Sequence, residues 1–83
     1  MLKVVVISPE AALFEGQASS VVAPAFDGEV GILTGHAPMM TLLGKGQLVV
    51  SGGSEPRRFT VEGGFMQVLN NEVRILTEHG SAA

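Results

Sequence analysis

Apolar residues occur along this chain in short runs, and glycine or proline interrupts the runs every few residues. No window of three helical turns keeps apolar residues at helical spacing, so the pattern does not favour a packed helix. The short β-branched runs between turn residues are typical of strands. They predict strands over Leu2–Ser8, Phe14–Ala23, Glu29–Ile32, Met39–Leu43, Gln47–Ser51, Arg58–Val61, Phe65–Leu69 and Glu72–Thr77. About eight short strands at this spacing indicate an all-β sandwich or barrel.

Turn residues mark the connections between these strands. Asn70-Asn71 separates the last two, and Asn tolerates the left-handed conformation that both central positions of a type I′ hairpin turn require. Gly63-Gly64 predicts a second bend just before this hairpin, and residues 51–56 predict a third.

Three of the predicted strands are apolar on both faces: Val4–Ile7, Met39–Leu43 and Leu48–Val50. An antiparallel sheet with one face in water alternates apolar and polar residues instead. The reverse sides of these strands are therefore covered within the domain or by a partner. The charged fraction is 16%, against roughly 25% in an average soluble domain, which favours surplus apolar surface and a partner.

Composition narrows the functional classes further. The chain has no cysteine, which excludes disulfides and thiolate metal sites. The net charge is −3 and the five basic residues are scattered, which disfavours nucleic-acid binding. No apolar run approaches the roughly 18–20 residues of a membrane span, and the start of the chain lacks a secretory signal pattern. We expect a soluble protein that reaches a membrane only through partners.

Candidate chemistry is concentrated in residues 26–40. Asp27 and Glu29 stand two positions apart, on one face of a strand, but Gly28 between them favours an exposed turn over an acid–base pair. His36 could complete a metal site, although the spacing matches no familiar cage. His36 is otherwise a turn histidine bonded to a backbone carbonyl or a contact residue. His79 falls in the predicted tail.

Catalytic and cofactor motifs are absent from the sequence. The glycines of residues 28–35 match neither dinucleotide nor P-loop spacing, and no serine lies in a nucleophile elbow. We therefore predict no catalytic, metal or cofactor site, and interpret residues 26–40 as a protein-binding surface. A free-standing sandwich that binds a small ligand is the alternative, although the four Phe come without Trp or Tyr. An enzyme is a third hypothesis without a supporting motif.

Several motifs in order resemble one family. They are Pro9-Glu10, Leu13-Phe-Glu-Gly16, Asp27-Gly-Glu-Val-Gly-Ile32, Gly35-His-Ala-Pro-Met39, Leu43 ahead of Gly46, Arg58-Phe-Thr-Val-Glu-Gly-Gly-Phe65 and Asn71-Glu-Val-Arg-Ile-Leu-Thr-Glu78. Over essentially its whole length the chain resembles the N-terminal domain of the epsilon subunit of bacterial and plastid F-type ATP synthases.

The resemblance implies a flattened antiparallel β-sandwich of about ten short strands, which fits the pattern if bends divide the longer predicted strands. It places the sandwich domain at residues 1–78 and a C-terminal tail at residues 79–83. Many family members continue into a two-helix domain that restrains ATP hydrolysis and in some cases binds ATP. We expect no helical hairpin here, and assign neither of those roles.

The function implied by the resemblance is mechanical. The resemblance implies a non-catalytic central-stalk subunit, present as one copy in a hetero-oligomer. This subunit links the gamma subunit to the ring of c subunits and couples proton-driven rotation to ATP synthesis. Such a subunit needs no cofactor and does not insert into the membrane. It lies peripherally on the cytoplasmic face of the bacterial inner membrane or the stromal face of the thylakoid.

The resemblance also implies two sets of contact residues. Contacts to the c ring are expected from Asp27, Gly28, Glu29 and Val30. Contacts to gamma are expected from Ser8, His36, Met39, Met40, Thr41 and Leu43. The two-sided strand Met39–Leu43 would supply the apolar centre of the gamma interface.

Overall fold

The computed structural model describes residues 1–53 and 55–83, and this part of the chain contains eight β-strands and no helix. The strands are β1 (Leu2–Ile7), β2 (Ala12–Ala18), β3 (Ser20–Ala25), β4 (Gly28–Leu33), β5 (Met39–Leu42), β6 (Lys45–Ser51), β7 (Arg57–Leu69) and β8 (Glu72–Ala82). The all-β class is confirmed. The bend predicted over residues 51–56 includes Ser54, which lies outside the described residues.

The strands form one hydrogen-bonded sheet in the order β2-β1-β8-β7-β6-β3-β4, and β5 pairs with β7 beside β6. All pairings are antiparallel except one. The first and last strands, β1 and β8, run parallel, with Lys3 opposite Glu72 and Ile7 opposite Leu76. The predicted antiparallel sandwich therefore contains one parallel pair.

The sheet folds over along a line that crosses its central strands. The first half of β7 pairs with β6 and its second half with β5. Between the halves, Gly63 and Gly64 have φ values of 74° and 99°, which bend the strand without ending it. We call the line through Gly44, Gly63, Gly64 and Thr77 the crease.

Buried Thr77 holds the two long strands together at the crease. Its hydroxyl donates to the carbonyl oxygen of His79 at 2.8 Å and accepts a hydrogen bond from the Glu62 N–H at 3.3 Å. One hydroxyl group thus satisfies backbone groups where the two bent strands meet.

The crease divides the sheet into two layers. Layer A contains β2, β1, residues 72–76 of β8, residues 65–69 of β7, and β5. Layer B contains residues 79–82 of β8, residues 57–62 of β7, β6, β3 and β4. Since β7 and β8 serve both layers, eight strands provide five segments to each layer. This explains why the pattern indicated about eight strands and the resemblance about ten.

Apart from shifts of one or two residues, strand boundaries differ from the prediction in three places. The predicted strand Phe14–Ala23 is divided at Ser19, whose N–H donates to the carbonyl oxygen of Ser51, 2.8 Å away. The two predicted strands on either side of Gly63-Gly64 are one strand, β7. The last strand was predicted to end at Thr77 but continues to Ala82 and pairs with residues 59–62. Residues 79–82, which include His79, therefore lie in a strand instead of a tail.

The hairpin between β7 and β8 has the predicted turn. Asn70 and Asn71 have φ values of 50° and 61°, and Leu69 pairs with Glu72 across them. Both central positions are left-handed, as a type I′ turn requires.

Side chains that point between the layers form a single apolar core. The largest are Phe59, Leu2, Ile32, Leu48, Met66 and Ile75, all fully buried. Burial of each such side chain contributes about 1.5–3 kcal/mol. Alternate residues of β1, β6, β7 and β8 are used in this way, so the intervening residues of these strands determine what the outer faces present.

Candidate protein-binding surfaces

Four large apolar side chains form a line across the outer face of layer A. Leu42 of β5 is paired with Phe65 of β7, Phe65 with Leu76 of β8, and Leu76 with Ile7 of β1. All four side chains are exposed, Leu42 at 61%. We call these four residues the apolar row. Contiguous exposed apolar residues of this kind mark interaction surfaces in soluble proteins.

The apolar row arises from doublets of large apolar residues in the sequence. Val6-Ile7, Leu42-Leu43, Phe65-Met66 and Ile75-Leu76 each place one side chain in the core and the other outside. Successive side chains of a strand point to opposite faces, so a doublet at these positions has to expose one member.

The remaining outer surfaces are more polar than the apolar row. On layer A the next positions carry Met40, Gln67 and Arg74, which are paired across β5, β7 and β8. On layer B the paired outward residues are Lys45, Glu62 and His79, followed by Gln47, Thr60 and Ser81. The centre of the outer face of layer B is thus polar, although β4 exposes Leu33 near its edge, and layer A carries the row of apolar side chains suited to a protein partner.

A shallow groove runs beside the apolar row along the crease. Its lining includes Ser8, Pro9, Gly64 and Thr77 in addition to the row itself. Ser8 is buried, and its hydroxyl donates to the carbonyl oxygen of Ala11 at 3.2 Å in the turn after β1. Ser8, which the sequence assigned to the gamma contact, therefore lies next to the apolar row and shapes the groove.

The β5 residues predicted to contact gamma are divided between the two faces of the strand. Met40 is 65% exposed and points outward beside Leu42. Met39 and Thr41 are half-buried and face the core, and Leu43 is buried. Only Met40 of this group offers its side chain freely. Leu42, which lies in the strand predicted as the apolar centre but was not among the named contact residues, accompanies it.

His36 lies at the other end of β5 from Leu42, in the loop between β4 and β5. It is half-buried, and its ring Nδ1 is 2.7 Å from the carbonyl oxygen of Ala37. Its backbone N–H donates to the carbonyl oxygen of Leu33 at 3.1 Å. The geometry is that of a turn histidine bonded to a backbone carbonyl, one of the two alternatives from the sequence.

The hairpin between β3 and β4 presents acidic groups to solvent. The pair Ala25–Gly28 closes the loop, and Gly28 has a φ of 132°, a conformation that favours glycine. Asp27, Gly28 and Glu29 are exposed, and we call them the acidic tip. Val30, predicted with them as a c-ring contact, is half-buried and packs against the core.

The acidic tip and the apolar row adjoin each other. Phe26, the first residue of the tip loop, donates its N–H to the carbonyl oxygen of Leu42 at 3.0 Å. The side chain of Phe26 is 67% exposed. Phe26 lies within residues 26–40, which the sequence predicted as a protein-binding surface, but it was not among the named contact residues, because an isolated aromatic residue in a turn carries no pattern.

Within the described ranges, no three His, Cys, Asp or Glu side chains are grouped so that they could hold a metal ion. The same residues include no helix with the length and apolar character needed to cross a bilayer. Their buried side-chain nitrogen and oxygen atoms all have hydrogen-bond partners. The features that stand out are the apolar row and the acidic tip.

Sequence comparisons identify close relatives. The epsilon chain of ATP synthase from Leptospira borgpetersenii serovar Hardjo-bovis (strain JB197) is 46% identical over 80 residues, which are 96% of this chain and 63% of the relative. The epsilon chain from Caulobacter vibrioides is 39% identical over 77 residues, 93% of this chain and 90% of the relative. The chain thus spans 63% of the length of the Leptospira relative.

Solved structures share the fold. A chain of the Euglena gracilis mitochondrial ATP synthase superposes with a TM-score of 0.89 at 23% identity, over 98% of this chain and 52% of that one. A chain of the Tetrahymena thermophila mitochondrial ATP synthase gives a TM-score of 0.82 at 18% identity, over 96% and 65%. The family model described as "ATP synthase, Delta/Epsilon chain, beta-sandwich domain" matches residues 1–83. The chain belongs to this family of ATP synthase delta/epsilon-chain β-sandwich domains.

Proposed function

We propose that the chain is a non-catalytic central-stalk subunit of a proton-translocating F-type ATP synthase, which joins the gamma subunit to the ring of c subunits. The observation that carries the proposal is the pair of adjoining surfaces, one apolar and one acidic, on one β-sandwich. The Euglena structure is an assembly of OSCP, F1 and the c ring, and the Tetrahymena structure is one of central stalk and c ring.

The apolar row is the proposed gamma contact. The fully buried centre of a protein interface is enriched in apolar and aromatic side chains, which matches Leu42, Phe65 and their neighbours in the row. Met40 extends this surface, and Ser8, His36, Met39, Thr41 and Leu43 are proposed contacts that border or support it.

The acidic tip is the proposed c-ring contact. Asp27 and Glu29 project from a two-strand hairpin, and the one ion pair among the described residues, Arg74–Glu72, involves neither of them. Their charges are therefore free to meet polar or basic groups of the ring, with Gly28 allowing close approach and Val30 supporting the hairpin from the core side. Charge complementarity of this kind contributes orientation and association rate more than affinity.

Coupling in this proposal is mechanical. The chain transmits torque between two contacts and carries out no bond chemistry. The complex lies peripherally at the cytoplasmic face of the bacterial inner membrane, or at the stromal face of the thylakoid. The shared core of the two layers gives the sandwich the stiffness that such a task requires.

Co-assembly tests the proposal. The chain is co-expressed with gamma and c subunits, and the complex is analysed by gel filtration. We expect the chain to elute with both, and Phe65→Ser in the apolar row to remove it from gamma. Leu33→Ser, on the layer B strand β4 and 64% exposed, is the matched control and should leave assembly unchanged. A correctly folded chain that elutes alone would refute the proposal.

A further inference from the structure

We infer that Phe26 is a contact residue shared by both partners, through which binding of one partner strengthens binding of the other. The inference rests on the proposed function and extends it, because two separate contacts do not by themselves require coupling. Its basis is the position of Phe26 between the acidic tip and the apolar row.

The backbone fixes the base of the tip to the end of the apolar row. The N–H of Phe26 donates to the carbonyl oxygen of Leu42, and the N–H of Gly44 donates to the carbonyl oxygen of Pro24 at 2.8 Å. These two hydrogen bonds make Ala25 and Leu43 an antiparallel bridge pair. The tip loop therefore keeps a constant position relative to Leu42.

The position of Phe26 places it at the boundary between the two contacts. Residues opposite each other in an antiparallel pair have Cα atoms about 5 Å apart, so Phe26 adjoins Leu42 at the end of the apolar row that the gamma contact would cover. Phe26 is equally close to Asp27, the next residue in the chain. A partner on the row and a partner on the tip would both reach its side chain.

The chemistry of Phe26 suits this shared position. Its ring is 67% exposed in the free chain, and aromatic residues are enriched among the residues that dominate binding. The first partner to bind would fix the orientation of the exposed Phe26 ring. The second partner would then lose less conformational entropy, which produces positive coupling that is reciprocal between the two partners.

The test measures the affinity of the chain for a detergent-solubilised c ring with and without purified gamma, and the affinity for gamma with and without the ring. We expect gamma to raise ring affinity by about fivefold or more, and the ring to raise gamma affinity by the same factor. We call the ratio of the two ring affinities, with and without gamma, the coupling factor. Phe26→Ser should lower the coupling factor at least threefold, and Phe26→Leu should give an intermediate value. Leu33→Ser, of similar exposure at the opposite end of β4, should leave the factor unchanged.

The outcomes separate this inference from the proposed function. A wild-type chain that binds neither gamma nor the ring overturns the proposed function. A chain that binds both with a coupling factor of one, or a folded Phe26→Ser variant that keeps the wild-type factor, overturns the inference alone. Circular dichroism of both Phe26 variants establishes folding, and Phe26→Leu provides the comparison if serine disturbs the loop.

Discussion

Gly64 occupies a position that no other residue type can fill without movement of the backbone. Its φ is 99°, and a Cβ atom added there would collide with the carbonyl oxygen of Leu76 on the neighbouring strand. Relief of the collision would push β7 away from β8 at the crease. The turn from one layer to the other therefore depends on the absence of a single methyl group.

Gly64→Ala should lower the free energy of unfolding by about 3 kcal/mol or more, because strain at a positive φ adds to a steric collision with backbone. Urea denaturation followed by circular dichroism measures the change. The matched control is Gly31→Ala in β4, where an added Cβ meets nothing within 4 Å, and there we expect a change below about 1 kcal/mol. Equal midpoints for the two variants would show that the crease tolerates a side chain at residue 64.

Glu29→Gln should weaken docking on the c ring and leave the thermal midpoint of the isolated chain unchanged, because an exposed carboxylate contributes little to stability. Binding to the solubilised ring is measured at two salt concentrations. Salt should weaken ring binding by the wild type, because it screens the charge of Glu29. Glu15→Gln on β2 makes the same change in net charge on another exposed strand and should bind normally. A large drop in melting temperature with intact docking would make Glu29 a structural residue.

At the scale of elements, the sequence pattern located most strands but could not determine how they pair. Glycine pairs with positive φ both end and bend strands, so Gly63-Gly64 was interpreted as an interruption of what is one strand. The end of β8 was missed because His79 and the residues after it do not alternate apolar with polar. The acidic tip was predicted as an exposed turn because Gly28 separates two acids that are close in sequence. The apolar row unites four strands through register, which local periodicity does not contain.

Removal of residues 79–83 tests the extension of β8. These residues pair with positions 59–62 of β7, and the N–H of Ala83 donates to the carbonyl oxygen of Arg58 at 3.0 Å. Loss of this ladder should lower the free energy of unfolding by about 2 kcal/mol or more. Removal of Ala83 alone is the control and should have a small effect. Unchanged stability in the longer deletion would mean that these residues act as a tail in solution.

At the scale of the whole molecule, two layers share one core while the outer face of layer A keeps an exposed apolar row. Charged residues make up only 16% of the chain, so surface charge is too sparse to keep molecules apart when the apolar row is exposed. An exposed apolar row in a molecule of low charge favours self-association when the partner is absent. The isolated chain is therefore expected to behave differently from the assembled one.

Leu42→Glu should reduce self-association of the isolated chain without loss of stability, because the side chain is exposed at the end of the apolar row. Sedimentation velocity over a concentration series measures the degree of self-association. Leu33→Glu carries the same added charge on layer B and should not reduce self-association to the same degree. If both variants have equal effects, net charge and not the apolar row controls self-association.

The parallel pairing of β1 with β8 has a consequence for how the molecule is made. Lys3 has its partner Glu72 far along the chain, so during synthesis β1 can pair with β2 but not with β8. The 11-residue β8 also completes the pairing of β7, and it enters between two strands that are already present. Contacts between such distant residues slow folding. The nascent sandwich consequently stays open along its middle, with unpaired backbone on either side of the gap, until its last strand leaves the ribosome.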